Sequence, residues 1–367
     1  MKVPYGVKYS SGSVLAHQLA LAALETLSQV PFVQADRGPE PARSYGLPGY
    51  APDAAIEVVV GAERYELILA VQAKGEPRMA RDAAAKLLHY LAGRPRVVGV
   101  FAAPYISPQA ARICRESGIG YVDLAGNCHL AFGSVYVHVD GKPNVAADRR
   151  PLRSLYAPKS ERVLRVLLRD PARRWQVQSL AAAAHVSIGL VSKVKSCLSD
   201  REWVESGPAA GVRLTTPGEL LDDWARVYAA RKTRHHEFFS LRGLPEIEAG
   251  VAEVCSARDI PYALTGLSAA ARLAPFVRYQ RADAYVAGPL DPILHALDLK
   301  VVPSGSNVRI RTPYDAGVLF DLGEHDGIAL ASSLQIYLDL RAEGGRAEDG
   351  AEFLRERILE PMWRGDR

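Results

Sequence analysis

The stretch Arg174-Trp-Gln-Val-Gln-Ser-Leu-Ala-Ala-Ala-Ala-His-Val-Ser-Ile-Gly-Leu-Val-Ser-Lys-Val-Lys-Ser-Cys-Leu198, followed by Trp203-Val-Glu-Ser-Gly-Pro-Ala-Ala-Gly-Val-Arg-Leu-Thr215, decides how the chain is read. Val177, Leu180, Ala181 and Ala184 recur at three- and four-residue spacing, which gives one helix an apolar face. Ser187 then caps a second helix, in which Val191, Val194 and Leu198 point inward. That phase leaves Ile188, Gly189, Leu190, Ser192, Lys193, Lys195 and Ser196 on outward or flanking faces. Trp203-Val-Glu and Val212-Arg-Leu-Thr frame a Gly- and Pro-containing tip, the pattern of a β-hairpin.

Working outward, Ser160 caps a preceding helix with Val163, Leu164, Val166, Leu167 and Leu168 as its apolar stripe. Three helices and a hairpin in this order are the arrangement of a winged helix-turn-helix, which sets one helix into a DNA major groove. Small residues at the start of that helix permit close approach to a duplex, and Lys193 and Lys195 meet phosphates further along. Arg174 and Gln176 precede the helix pair, and Arg213 on the wing reaches a phosphate or the minor groove. Few of the outward groups can read base edges, so phosphate contacts dominate the expected affinity. Arg149, Arg150, Arg153, Lys159, Arg162, Arg165, Arg169, Arg173 and Arg174 cluster upstream as a local positive field. The same module also serves elsewhere as a protein-docking unit, and that alternative stays open here.

The local field matters because the whole molecule is only mildly basic, with net charge +4 and pI near 8.8 over 367 residues. A hydrophobic fraction of 48% fills two or three domain cores. The expected boundaries are 1–148 for an α/β domain, 155–231 for the winged helix and 232–367 for a second α/β domain, with a Gly- and Pro-interrupted linker from Asp140 to Pro151. Cys114, Cys128, Cys197 and Cys255 stand singly, so no disulfide framework or zinc site is expected. The N-terminus lacks a signal pattern and no apolar run is long enough to span a bilayer, which leads us to expect a soluble, cytoplasmic protein without membrane contact.

In the first domain, helix-like segments at 14–27, 80–91 and 108–117 alternate with strand-like segments at 56–60, 65–71, 97–101 and 120–124, closed by a hairpin through 130–139. The strand Tyr65-Glu-Leu-Ile-Leu-Ala-Val-Gln-Ala-Lys74 brings Gln72 and Lys74 to one face at its end. This resembles the PD-(D/E)xK motif of the restriction-endonuclease-like fold, in the Gln-x-Lys version found in its methylated-DNA restriction branch. The resemblance implies Asp53 or Glu57 as the acid that holds Mg²⁺ and Lys74 as the group that polarises water or phosphate. Glutamine at position 72 removes one carboxylate, which lowers the expected affinity for the metal.

In the last domain, Ala263-Leu-Thr-Gly-Leu-Ser-Ala-Ala270 runs from strand to helix and resembles the entry of nucleotidyltransferase-like folds, although only Asp283 follows where that fold pairs acids. Gly118 to Asn127, Leu190-Val-Ser-Lys-Val-Lys195, the Thr-Gly-Leu-Ser segment and Gln335-Ile-Tyr-Leu-Asp-Leu340 together resemble the AbiEi transcriptional-regulator antitoxins of type IV toxin–antitoxin systems. That resemblance implies a repressor of its own operon, whose C-terminal region counters a nucleotidyltransferase-like toxin. Two features depart from it: the nuclease-like first domain, and a winged helix that is central rather than N-terminal. The expected function is therefore double-stranded-DNA binding without catalysis and without cofactor. The competing expectation is a Mg²⁺-dependent nuclease of a defence system, targeted by the winged helix. Oligomeric state is not readable from the sequence.

Overall fold

A computed structural model describes residues 11–35, 52–143, 155–207, 211–231, 233–273 and 279–365. Arg149, Arg150 and Arg153, most of the expected linker, and the wing tip at 208–210 lie outside the described residues. The chain divides into two compact units, 1–150 with 200–202, and 151–199 with 203–367.

The first unit is a mixed α/β layer structure. It comprises α1 (Ser11–Ser28), β1 (Val33–Ala35), β2 (Ala54–Val60), β3 (Glu63–Val71), α2 (Pro77–Leu91), β4 (Val97–Ala103), α3 (Pro108–Glu116), β5 (Gly120–Asp123), β6 (Cys128–Phe132) and β7 (Val135–Val139). The seven strands lie in sequence order. β3, β4 and β5 are parallel because α2 and α3 form the crossovers, while β2–β3 and β5–β6–β7 are antiparallel hairpins. Alternation along β3 sends Leu67 and Leu69 to the α1 side, and Ile68 and Ala70 to the α2–α3 side, so apolar cores form on both faces. A turn after β5 is held by Asp123, whose carboxylate accepts from the Asn127 amide N–H and side chain at 2.8 Å each.

The second unit begins with α4 (Pro158–Arg169), α5 (Val177–Ala183), α6 (Ile188–Asp200), β8 (Val204–Gly207), β9 (Gly211–Leu214) and α7 (Pro217–Ala229). Helix α4 starts at Pro158, so Ser160 lies inside its first turn, buried, and is not the cap; a proline at the first helical position starts a helix without a side-chain cap. The chain continues through β10 (His235–Phe239), α8 (Leu244–Ser256), β11 (Tyr262–Leu264), α9 (Gly266–Leu273), β12 (Ala282–Val286), α10 (Asp291–Leu297), β13 (Lys300–Val301) and β14 (Val308–Arg311). A 3₁₀ turn (Ala316–Leu319), β15 (Gly323–His325), β16 (Ile328–Leu330), α11 (Ser333–Glu343), α12 (Arg346–Leu354), a π turn (Arg355–Leu359) and α13 (Glu360–Arg364) complete it. Its sheet has the order β13-β10-β14-β12-β11-β16-β15 and is mixed.

Where the sequence suggests a winged-helix domain and a separate C-terminal domain, one core runs through both. Leu164, Leu180, Val191 and Leu214 belong to the same buried cluster as Trp224, Ile247, Leu264, Tyr337 and Leu354. The junction is also polar. Asp339 of α11, wholly buried, accepts from Tyr228 at 2.7 Å, Tyr285 at 2.9 Å and the Gln335 amide at 3.0 Å, and also from Thr265. Gln335 in turn accepts from Arg165 of α4 at 2.5 Å. Glu161, one turn earlier on α4, accepts from Tyr314 at 2.6 Å, from the Trp224 indole at 3.2 Å and from Arg231. Burial and the Asp339 charge push the Tyr228 and Tyr285 phenols far above their ordinary range, so both remain donors. Among the described residues no single helix is long and apolar enough to cross a membrane.

Removing one member of such a buried charge set leaves the others uncompensated. Glu161→Ala is expected to lower unfolding stability by about 3–5 kcal/mol, read as an earlier urea midpoint with an unchanged slope. A decrease below about 1 kcal/mol would contradict the importance assigned to the pair.

Candidate nucleic-acid interface

Helices α5 and α6 meet at 109°, within the usual range of a helix-turn-helix. The turn between them closes on hydrogen bonds from His185 N to Ala182 O at 3.1 Å and from Val186 N to Ala181 O at 3.0 Å. It contains no glycine, and His185 itself takes the left-handed conformation, with φ +50°. Ser187 caps α6 through its hydroxyl, which accepts from Leu190 N at 3.3 Å.

Val191, Val194 and Leu198 are buried on α6, each at 2% exposure or less. Their burial fixes the rotation of the helix, because turning it outward would expose apolar area that contributes roughly 1.5–3 kcal/mol per side chain. Ser187, Ile188, Gly189, Ser192, Lys193 and Ser196 consequently stand exposed, with Leu190 and Lys195 half-buried at the flanks. Ile188 is 52% exposed. Gly189 is helical with open space where a side chain would be. Beside this start lies an open groove of about 440 Å³, lined by Lys159, Ala181, Ala182, His185, Val186, Ser187 and Leu190.

The two-stranded β8–β9 sheet is extended by Trp175, which exchanges two backbone hydrogen bonds of 2.8 Å with Val212. Gly211 makes that approach possible: its φ is +69°, and a Cβ there would stand 2.7 Å from the Trp175 carbonyl oxygen. Across the hairpin Glu205 faces Arg213, and its carboxylate accepts from Arg213 at 2.7 Å and from Arg174 at 3.1 Å. Those two cations, together with the hydrogen bonds they donate, hold the Glu205 carboxyl below its ordinary range, the Arg213 bond being the larger influence. Gln176 is exposed at the residue before α5.

The basic flank is different from its appearance in the sequence. Arg162 is bound to Asp315, Arg165 is buried against Gln335, and Arg169 pairs with Asp321. Arg173 stays exposed with its guanidinium 3.8 Å over the Trp175 ring. Two of the cations expected to face DNA, Arg162 and Arg165, therefore serve packing within the unit, and Arg169 is held in a surface pair. The acidic partners lie some 150 positions later in the chain, beyond any local pattern. Glu205 is the exception: once the hairpin register is known, its place opposite Arg213 follows.

In the first unit, Asp53 directly precedes β2, and its carboxylate accepts from Val71 N at 2.8 Å, at the end of β3 where Gln72 and Lys74 emerge. Gln72 is half-buried and Lys74 exposed, both beyond the last residue of the strand. Glu57 lies on the same face of β2 but four residues, about 13 Å, along the strand, where it pairs in register with Glu66. Asp53 and Glu57 thus cannot share one ion. Among the described residues no group of three or more His, Cys, Asp or Glu side chains is arranged to hold a metal. In the second unit Asp283 is bound by both nitrogens of the Arg311 fork, at 2.8 and 2.6 Å.

Residues 213–360 match the family model described as transcriptional regulator, AbiEi antitoxin, type IV TA system. Comparison with curated proteins gave no match. Two solved structures of EndoMS are similar, one a dsDNA complex at 16% identity over 34% of this chain, the other the apo form at 15% over 32%, each with a TM-score of 0.20. The chain spans about half, 48%, of the length of each.

The two glycines of this surface should respond in opposite directions. Gly189→Ala is expected to raise stability by up to about 1 kcal/mol, whereas Gly211→Ala is expected to lower it by at least about 1–2 kcal/mol through its positive φ alone. Thermal midpoints of the two variants check this; equal shifts would refute the assigned conformations.

Proposed function

We propose, on the premise that residues 213–360 belong to the AbiEi antitoxin family, that this chain is a double-stranded-DNA-binding regulator that represses its own operon as a type IV antitoxin-like protein. Its DNA reader is α5–α6 with β8–β9, used as a winged helix-turn-helix. The observation that carries the reading is the outward presentation of Ile188, Gly189, Ser192, Lys193 and Ser196 on a helix whose rotation is locked by Val191, Val194 and Leu198. Gly189 lets the backbone approach the groove closely, Lys193 and Lys195 neutralise phosphates, and the hydroxyls of Ser187, Ser192 and Ser196 are short donors for the backbone or base edges. Arg174 and Arg213 reach the duplex from the wing side, with Gln176 between the two.

The flanking parts act without catalysis and without a cofactor. In a restriction-endonuclease-like first unit, Asp53 with Gln72 and Lys74 supplies too few carboxylates for Mg²⁺, so no cleavage step is derived from them. In a nucleotidyltransferase-like C-terminal sheet, the single acid Asp283 is neutralised by Arg311. The partner we assign to that region is a nucleotidyltransferase-like toxin. A repressor of its own operon works in the cytoplasm.

The purified chain should retard its own upstream duplex. Lys193→Ala with Lys195→Ala should weaken that binding and reduce the slope of log affinity against log salt by about 0.9 for each phosphate that is no longer neutralised; wild-type affinity and slope in the double variant would refute the assigned helix. Incubation of plasmid DNA with Mg²⁺ or Mn²⁺ should leave it intact. Nicking that Lys74→Ala abolishes would replace this reading by that of a nuclease.

A further inference from the structure

Helix α4 is not itself a DNA-reading element, yet four of its residues meet one short later segment, 314–321. Glu161 accepts from Tyr314 at 2.6 Å, and Arg165 donates to the same hydroxyl at 3.4 Å. Arg162 donates from Nε and Nη2 to the two oxygens of Asp315 at 2.7 and 2.8 Å, and Arg169 pairs with Asp321. Asp315 is fixed from its own side as well, accepting from Gly317 N at 2.7 Å. Gly317 lies so close to α4 that a Cβ there would stand 2.9 Å from the Arg162 side chain.

The same segment reaches the turn of the helix pair. The Phe320 ring packs 5.7 Å from the His185 ring, nearly edge to face, and the Arg162 guanidinium lies 5.8 Å over Phe320. Arg162 also donates to the His185 carbonyl at 3.4 Å. A non-glycine residue in the left-handed conformation persists only where its surroundings over-determine it. For His185 the first of these is the Schellman closure of α5, Val186 N to Ala181 O at 3.0 Å and His185 N to Ala182 O at 3.1 Å, with Phe320 and Arg162 packed against the turn from outside.

We propose that residues Tyr314–Asp321 form a positioning strap that sets the pose of the DNA-reading helices: Asp315 orients Arg162, and Arg162 with Phe320 holds the His185 turn. The proposal rests on the DNA-binding reading above and adds to it a route by which the C-terminal region governs affinity. The strap joins β14 to β15, and β14 carries Arg311, the partner of Asp283. Asp315 and Phe320 are positioning residues in this scheme, with no contact to DNA required of either.

Charge and position give opposite signs, which makes the strap testable. Asp315→Ala frees a guanidinium near the binding surface; if Asp315 mattered only by its charge, affinity for the chain's own upstream duplex would rise and the salt slope would steepen. The strap requires affinity to fall on the order of fivefold, with Phe320→Ala falling likewise at unchanged slope and Phe320→Tyr retaining wild-type binding. Amide hydrogen exchange on the free full chain supplies a second readout: His185 and Val186 should exchange faster in Asp315→Ala and Phe320→Ala, while the amides of β12 and β14 keep wild-type rates as the folding control. Wild-type exchange at the turn in both variants overturns the strap whether or not the chain binds DNA. Faster exchange at the turn with unchanged affinity overturns it as well. Failure of the wild-type chain to retard the duplex counts against the DNA-binding reading alone, and the exchange result still decides whether the strap holds the turn.

Discussion

Glu161 is a carboxylate with 1% exposure, and its partners come from two separate stretches of the second unit, Trp224 and Arg231 from α7 and its end and Tyr314 from the connection after β14. Burial raises its proton affinity, while Arg231, Tyr314, Arg165 and Trp224 oppose that rise. A lone carboxylate in that position would cost several kcal/mol. The unit therefore folds only if α4, α7 and the strand-to-strand connection after β14 arrive together. Asp339 imposes the same condition one layer further in, with Thr265, Tyr228, Tyr285 and Gln335 as its donors. Hydrophobic burial is non-directional and would tolerate many relative poses of these helices. Hydrogen bonds to buried charge are directional and narrow the choice. The rotation of α6, and with it the surface offered to a duplex, is fixed within a frame that α4 has already set.

Periodicity made the helix pair, its hairpin and the outward face of α6 legible, because all depend on neighbours within one or two turns. Val191, Val194 and Leu198 point inward as their spacing requires. The first unit was readable for a similar reason: alternation in β3 and continuous apolar runs in β4 each report on adjacent residues. What eluded the sequence depends on distant pairing. Arg162, Arg165 and Arg169 look like a solvated basic face, and only the return of residues 315–335 pairs all three and buries Arg165. β10 begins inside the charged run ending in His235 and His236, and of its five residues only Phe238 is buried, too weak an alternation to stand out. Its place between β13 and β14 comes entirely from other segments.

The acid of the Gln-x-Lys constellation shows how register supplies what spacing withholds. Asp53 and Glu57 are equivalent candidates when only the sequence of β2 is read. Pairing of Ala54 with Leu69 brings Asp53, and not Glu57, to the end of β3. Asp53, with one oxygen already accepting from the Val71 amide, is a structural anchor for the hairpin, and Lys74 donates to Asp200 at 2.8 Å. The Asp53 carboxylate is engaged in joining the start of β2 to the end of β3.

If the hairpin is the wing of a DNA reader, as proposed, Glu205 changes how it meets the ionic atmosphere of DNA. Arg174 and Arg213 are two cations, but both already share one anion. A duplex that attracts them meets a triad of net charge +1, and a phosphate must compete with an existing carboxylate for each guanidinium. Non-specific attraction at the wing is thereby reduced, whereas a backbone held at the right distance can still exchange places with Glu205 oxygen by oxygen. On the proposed reading the carboxylate acts as a filter, disfavouring charge that is merely nearby over charge that arrives in the right geometry.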